Sequence, residues 1–142
     1  MLKRFIFLSA GILFQSAHAT GWRCQLHDGL QQRIILTKPA KRIIRLAPNL
    51  SELVVSAGAE KNLVAVDSAS NYPKTIQHLP KVGSSSNINA ERILTLQPDL
   101  ILVWGQGASP RTLHRLSQQH IPIYHAKFNH LRDIATVLQD IG

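Results

Sequence analysis

The residues best suited to contact a ligand are two aromatic side chains and a few small polar ones at the ends of predicted strands. Trp104 closes an apolar run and is followed by Gly105, and Tyr72 stands in a polar segment after another apolar run. Their rings offer large, rigid apolar faces, which suit a flat amphipathic organic molecule. The structural alternative is that Trp104 only packs in the core and Tyr72 only packs within its loop. The strand ends also carry Asn49, Ala69, Ser70 and Asn71.

The same strand ends lack the groups that a reaction would need. No carboxylate pair, no nucleophile beside a base and no glycine-rich phosphate loop follows a predicted strand. Gly105 does not begin a G-x-G-x-x-G sequence, and Ser84-Ser85-Ser86 has no G-x-S-x-G context. We therefore predict a binding protein and not an enzyme, with an exported α/β hydrolase as the alternative from another class.

The histidines do not match a known metal-binding pattern. His114, His120, His125 and His130 are close in sequence, but their spacing fits neither a helical i, i+4 pair nor a zinc finger. Three of them fall on predicted helix or loop surfaces. The sequence therefore predicts no metal ligands and no cofactor.

The charge of the chain raises the question of a nucleic-acid partner, because its formal value is +8. The basic residues are scattered through every predicted element, without interleaved aromatic residues or a recognition helix. Hydrophobic residues make up 44% and charged residues 17% of the 142 residues, as is typical of one globular domain. We predict that the protein does not bind nucleic acid.

The first residues have the features of a secretory signal peptide. Basic Lys3 and Arg4 precede an apolar stretch that is too short to span a bilayer, and an A-x-A cleavage sequence ends at Ala19. We therefore expect residues 1–19 to be removed and residues 20–142 to be exported.

Cys24 is the only cysteine of the chain. The residues before it, Gly21-Trp22-Arg23, do not suit lipid attachment, so a soluble exported protein is predicted. A single cysteine in an oxidising compartment is either a free thiol or one whose partner lies outside this chain.

The stretch from Asn89 to Trp104 predicts the elements that position the indole. Apolar residues recur at helical spacing after Asn89, which can cap the first turn. Pro98 stops this helix, because proline lacks the N–H group and restricts the residue before it. Leu100 to Trp104 is an apolar run without alternation, which indicates a strand covered on both faces.

Similar units stand before and after this stretch. Their order predicts an α/β fold with a parallel sheet flanked by helices on both faces, in which ligands bind beyond the carboxyl ends of the strands. The long polar connection 67–88 is predicted to be functional or mobile. The predicted strands are Gln31–Thr37 at an edge, Arg42–Ala47, Leu63–Val66 and Ile121–Ala126. The first of the predicted helices begins at Asn49, where Glu52 completes a capping box, and ends at Gly58. A second begins at Pro110 after the cap Ser109, and a third begins at Asn129.

Several motifs taken together resemble a known family. The segments RIIRLAPNLSELVVSAGAEKNLVAV, SNYP, LPKVG and NAERILTLQPDLILVWG follow one another as in the periplasmic iron–siderophore and cobalamin receptors of ABC importers. The resemblance implies two α/β lobes joined by one long rigid helix. Residues 20–142 would be the N-terminal lobe, with the second lobe absent. It also implies a periplasmic protein that binds cobalamin or a related metal chelate without chemistry, with a ferric siderophore or haem as the alternative ligand.

The resemblance also implies roles for individual residues. Trp104 would line the ligand cleft, together with the segment from Ala69 to Tyr72 and residues near Ser85. Glu91 would dock onto an arginine of the membrane permease, and an exposed carboxylate at the start of a rigid helix suits such a transient contact.

Some positions differ from the family pattern. Cobalamin receptors tend to have aromatic residues near the positions of Ala69 and Ser85, and both are small here. The resemblance is therefore also compatible with bulky chelates other than cobalamin as the ligand. Haem-binding members tend to have a tyrosine after the Val-Gly pair, where Ser84 stands in this chain. The resemblance therefore argues against a haem-iron ligand from this lobe.

Overall fold

Strands and helices alternate through the part of the chain that the structure describes. The computed structural model describes residues 23–127. The strands are β1 (Cys24–His27), β2 (Arg33–Leu36), β3 (Ile43–Arg45), β4 (Leu63–Val66), β5 (Gly83–Ser84), β6 (Asn87–Ile88), β7 (Leu100–Trp104) and β8 (Ile123–Ala126). The α-helices are α1 (Ser51–Ser56), α2 (Ala90–Thr95) and α3 (Pro110–Ser117). Short 3-10 turns lie at Pro48–Leu50, Glu60–Asn62 and Lys74–Ile76.

A four-stranded parallel sheet forms the centre of the molecule. Its strand order is β4-β3-β7-β8, and each neighbouring pair runs parallel. The bounds of β4 and β7 agree with the predicted strands, whereas β3 and β8 are shorter than predicted. The carboxyl ends of the four strands therefore meet at one edge, which we call the rim.

Helices cover both faces of this sheet. On one face, Val54 of α1 belongs to the same buried cluster as Leu102 of β7. On the other face, Ile93 of α2 and Leu116 of α3 form a cluster with Ile101. Leu102 and Ile101 separate in this way because successive side chains of a strand point to opposite faces. The predicted fold class, a parallel sheet with helices on both faces, is confirmed.

The strand predicted at Gln31–Thr37 lies in a small second sheet beside the parallel one. β2 pairs antiparallel with β1, from Cys24 opposite Leu36 to His27 opposite Arg33, and it joins no strand of the parallel sheet. The predicted edge strand is therefore confirmed as Arg33–Leu36, since both strands of a two-stranded sheet lie at an edge, but its partner β1 was not predicted.

The Asp28-Gly29 turn joins the two strands of this hairpin. Asp28 accepts hydrogen bonds from the N–H groups of Leu30 and Gln32, at 2.9 and 2.8 Å. An aspartate that bonds to the backbone just after it is a common turn device.

The first helix also begins differently from the prediction. The chain enters α1 through the 3-10 turn Pro48–Leu50. Neither this turn nor α1 has a side chain that caps its first N–H groups. The hydroxyl of Ser51 donates to the carbonyl oxygen of Pro48 at 2.6 Å instead. Asn49 is therefore not a helix cap, and the predicted capping box is wrong. Gly58 ends the helix as predicted, with φ at +72°.

The caps of the other two helices agree with the sequence. Asn89 accepts the N–H group of Arg92 at 2.9 Å, and Ser109 accepts that of Thr112 at 3.2 Å. After α2, Gln97 takes the left-handed conformation with φ at +48°, directly before Pro98. Both helices thus begin at the predicted caps, and α2 ends before Pro98 as predicted.

The long connection 67–88 has structure of its own. It contains the 3-10 turn Lys74–Ile76 and the small hairpin formed by β5 and β6. No helix between residues 23 and 127 combines the length and the hydrophobicity that a bilayer crossing requires. The predicted signal peptide 1–19 and the helix predicted from Asn129 lie outside the described residues.

Candidate functional site

The rim is divided at the ends of β3 and β7, where the chain leaves the sheet toward opposite faces. After β3 the chain enters α1 on one face, and after β7 it enters α3 on the other. Since β3 and β7 are neighbours, a crevice opens between the two connections. Ligands of open α/β sheets bind in such crevices, so we place the candidate site at this part of the rim.

A cavity of about 390 Å³ opens beside this crevice. Its volume is within the range of small-molecule sites, which are roughly 300–1,000 Å³. Two loops form it, one after β3 and one after β4. Five residues line this cavity, and four of them are ligand-binding residues predicted from the sequence. The lining consists of Pro48, Asn49, Ala69, Asn71 and Tyr72.

Tyr72 presents an aromatic ring to the solvent at this cavity. Its relative exposure is 66%, and within residues 23–127 it is the large hydrophobic residue that stays exposed. A single exposed aromatic residue is common on protein surfaces and proves nothing alone. Beside a cavity at the rim, however, its ring is placed to contact an apolar ligand face.

Trp104 lies at the rim, next to the cavity but not in its lining. It is the last residue of β7 and pairs with Ala126 of β8. Its side chain is half-buried and packs against the core cluster on the α1 face. The indole thus serves the core in part, as the structural alternative expected. Its contact with a ligand stays a prediction.

The turn after Trp104 is held tightly by β8. Gly105 has φ at +52°, a backbone conformation that residues other than glycine rarely adopt. Its N–H group donates to the carbonyl oxygen of Ala126 at 2.6 Å. Nδ1 of His125 lies 2.8 Å from the carbonyl oxygen of Gly105. The N–H group of Gly107 closes the turn by donating to Trp104 at 2.6 Å. Gly105 therefore shapes the rim through its backbone.

The two predicted serines lie apart from the cavity lining. Ser70 is buried, and its hydroxyl donates to the carboxylate of Asp67. Ser70 therefore stabilises the loop from inside the protein, and we assign it a structural role. Ser85 is exposed in the turn between β5 and β6. Neither residue belongs to the five that line the cavity.

Sequence reasoning missed a buried ion pair under the cavity wall. Nη1 of Arg45, in β3, lies 3.4 Å from Oδ1 of Asp67, directly after β4. The side chain of Arg45 is completely buried, and that of Asp67 nearly so. The arginine in the middle of the apolar segment RIIRLA was the available signal, because a charge between buried apolar residues needs a partner nearby.

The guanidinium of Arg45 is only partly satisfied. It donates to the carbonyl oxygen of Ala47 and faces Asp67, but Nε and Nη2 have no partner among the residues described. Burial lowers the pKa of Arg45 to about 10, and the negative charge of Asp67 opposes this shift. The group is still a cation at neutral pH, held where solvation is poor.

Glu91 is exposed on the first turn of α2, where the sequence places it. Its carboxylate forms an ion pair with Arg115 of α3, and the two side chains are 69% and 54% exposed. Exposed pairs of this kind contribute only about 0–1 kcal/mol. The carboxylate can therefore exchange Arg115 for another cation at little cost.

A larger hollow of about 500 Å³ lies away from the rim, along β2, α3 and β8. His114, His120 and His125 line it together with mainly apolar residues. No group of three or more potential metal-ligating side chains was found in the part of the chain that the structure describes. Because this hollow is not at the carboxyl ends of the strands, we retain the rim as the candidate site.

Comparison with protein families gives one match that covers most of the chain. A model described as "Periplasmic binding protein" matches residues 43–142. The match includes β3, α1, the cavity loops, α2 and β7.

The individual relatives are named as vitamin B12-binding proteins. The vitamin B12-binding protein of Vibrio campbellii is 42% identical over 104 residues, which are 73% of this chain and 38% of that protein. The vitamin B12-binding protein of Yersinia pestis (strain Pestoides F) is 42% identical over 111 residues, 76% of this chain and 40% of that protein. The chain thus spans about two fifths of the length of these curated relatives.

Solved structures agree with the sequence matches. The periplasmic vitamin B12 binding protein BtuF of Vibrio cholerae superposes with a TM-score of 0.67 and 41% identity, over 73% of this chain and 42% of that one. A periplasmic heme binding protein from Pseudomonas aeruginosa superposes with a TM-score of 0.68 and 29% identity, over 72% and 37%.

Proposed function

Because the chain belongs to the periplasmic binding protein family, we propose that it forms the N-terminal lobe of a receptor for cobalamin or a related metal chelate. The receptor binds its ligand in the periplasm without chemistry and delivers it to the permease of an ABC importer. The likeness to vitamin B12-binding proteins, at 41–42% identity, supports the choice of ligand class.

The observation on which this proposal rests is the rim cavity beside the exposed ring of Tyr72. One wall of a cleft is what a single lobe supplies, and a flat chelate suits such a wall. The ring of Tyr72 covers part of the ligand's apolar face, while the amides of Asn49 and Asn71 donate and accept hydrogen bonds at its polar edge. Trp104 extends the wall along β7.

A single wall limits the affinity. Small-molecule sites bury roughly 70–90% of the surface of their ligand, and one lobe reaches only one side of it. We therefore expect the 142-residue chain to bind weakly, with a second lobe supplying the opposite wall in a complete receptor.

A ferric siderophore or haem is the alternative ligand. The likeness to the heme binding protein from Pseudomonas aeruginosa, at 29% identity, supports it. Ser84 follows Gly83 in β5 and has no group that ligates haem iron strongly. Cobalamin is therefore preferred, because it requires no iron ligand from this lobe.

Delivery to the permease involves Glu91 in this proposal. Its carboxylate projects from a short rigid helix, is well exposed and is held only by an exchangeable pair with Arg115. An arginine on the permease can replace Arg115, and the charge then guides the encounter and fixes its orientation. Export to the periplasm, with cleavage near Ala19, belongs to the same proposal.

Isothermal titration calorimetry with cyanocobalamin, haemin and a ferric siderophore tests the ligand. We expect saturable binding of cyanocobalamin, and Tyr72→Ala should weaken it about tenfold because an aromatic contact is lost. His78→Ala is the control, since His78 is an exposed ring nearby that does not line the cavity. Absence of saturable binding for all three chelates would refute the proposed function.

A further inference from the structure

The buried pair of Arg45 and Asp67 connects the two loops that form the rim cavity. Arg45 ends β3 and Asp67 follows β4, so the pair lies under both walls at once. We propose that this pair positions the cavity walls and thereby sets the affinity for the chelate. The inference rests on the proposed function for its ligand.

Arg45 holds the wall that follows β3. Its guanidinium donates to the carbonyl oxygen of Ala47, the residue just before Pro48 and Asn49. In addition, the N–H group of Asp67 donates to the carbonyl oxygen of Arg45 at 3.0 Å. The side chain of Arg45 therefore ties the first wall to the end of β3, and its backbone carbonyl ties the start of the second wall to the same strand.

Asp67 holds the wall that follows β4. Its Oδ2 accepts the N–H group of Ala69 at 3.0 Å, and its Oδ1 accepts the hydroxyl of Ser70. Lys81 adds a further tie by donating from Nζ to the carbonyl oxygen of Ser70 at 2.5 Å. Hydrogen bonds to a charged carboxylate are stronger than those between neutral groups, and Arg45 places a cation beside this one.

Stability alone does not account for this arrangement. A buried ion pair loses its hydration, and a well-packed apolar pair of similar volume is often as stable or more stable. The free-energy cost of this lost hydration is larger than usual here, because Nε and Nη2 of Arg45 have no partner among the described residues. What the apolar pair could not supply is the set of bonds to Ala47, Ala69 and Ser70, which fix the loops that line the cavity.

The test compares two single variants with the corresponding double variant. Arg45→Met and Asp67→Leu each leave one buried charge without its partner, so each should unfold more easily than the wild type. The double variant Arg45→Met/Asp67→Leu should recover most of the resistance to urea. Its affinity for cyanocobalamin should nevertheless remain about tenfold weaker, since the loop ties are still missing.

Asp99→Ala is the matched control. Asp99 likewise ties a loop to a strand, by accepting the N–H groups of Lys41 and Arg42 at 3.0 and 2.9 Å, but it does so at the opposite end of the sheet. Its loss should lower stability and leave the affinity unchanged. A double variant that binds as tightly as the wild type would overturn the inference, as would an equal loss of affinity in Asp99→Ala.

Amide hydrogen exchange at Ala69 separates this inference from the proposed function. In the double variant this amide should exchange at least tenfold faster than in the wild type, because its acceptor on Asp67 is gone. If the wild type binds no chelate, the proposed function fails, but the exchange rate still tests the positioning. Unchanged exchange at Ala69 would refute the positioning role whatever the ligand.

Discussion

Nδ1 of His125 lies 2.8 Å from the carbonyl oxygen of Gly105, and this contact ties the turn after Trp104 to β8. A carbonyl oxygen only accepts, so Nδ1 carries the proton of this hydrogen bond. The N–H group of Gly105 donates in the same region, to the carbonyl oxygen of Ala126. The rim next to the cavity is therefore a fixed surface, and its shape depends on a backbone conformation that suits glycine.

Replacing Gly105 by alanine should reduce both stability and ligand affinity. A Cβ atom at this position meets nothing within 4 Å, so the cost comes from the backbone, at φ +52°. We expect the free energy of unfolding in urea to fall by about 1–2 kcal/mol, the cost of a left-handed conformation for an ordinary residue.

Gly58→Ala is the control for this prediction. Gly58 also has a positive φ, of +72°, and open space around it, but it lies at the end of α1, away from the rim. It should lose similar stability without losing affinity for cyanocobalamin. Equal affinities of the two variants would show that the turn at Gly105 is unimportant for binding.

Neutralising Glu91 should weaken docking to the permease more than removing its partner does. In the proposed function the charge of Glu91 guides the encounter, so Glu91→Gln should lower the affinity of the complete receptor for its reconstituted permease about threefold to tenfold. Arg115→Gln leaves the carboxylate exposed and should not weaken docking. Surface plasmon resonance at two salt concentrations measures both variants. If the two lose affinity equally, the pair has only a structural role.

The stability of the protein should carry a pH dependence from Arg45. Burial lowers the pKa of Arg45 to about 10 in the folded protein, well below the ordinary value of an arginine, so the unfolded chain binds the proton more tightly. The cost of burying the cation is complete below about pH 10 and is relieved as the pH rises above that value, so this group makes stability rise with pH there.

Urea titrations of the wild type and of Arg45→Met between pH 9 and pH 12 check this dependence. The unfolding free energy of the wild type should rise relative to that of Arg45→Met as the pH passes about 10, the value that burial gives to this pKa. Arg111→Met, which changes an exposed arginine of α3, should follow the wild type. Parallel curves for wild type and Arg45→Met would contradict the account.

The elements near the rim were predictable because their signals are local. Leu100 to Trp104 reads as a buried strand from its composition alone, and Asn89 and Ser109 cap helices through bonds to residues three positions away. Such contacts depend on short segments, so the sequence contains all the information that they need.

Other features depend on contacts between distant segments, and these the sequence did not disclose. The pairing of β1 with β2 requires a partner for a strand whose own pattern is weak. Asn49 has the type and spacing of a helix cap, but Pro48 favours a 3-10 turn that leaves it at the cavity. The bond between Arg45 and Asp67 joins residues 22 positions apart, which only the parallel pairing of β3 and β4 brings together.

The most direct test of the central claim is calorimetric titration of cyanocobalamin into the wild type and into Trp104→Ala. The wild type should bind one equivalent saturably, and Trp104→Ala should bind about tenfold more weakly, as expected when an aromatic wall is removed. Gln119→Ala, an exposed change far from the rim, should bind like the wild type. Equal affinities of wild type and Trp104→Ala would contradict the claim that this rim forms a wall of the ligand site.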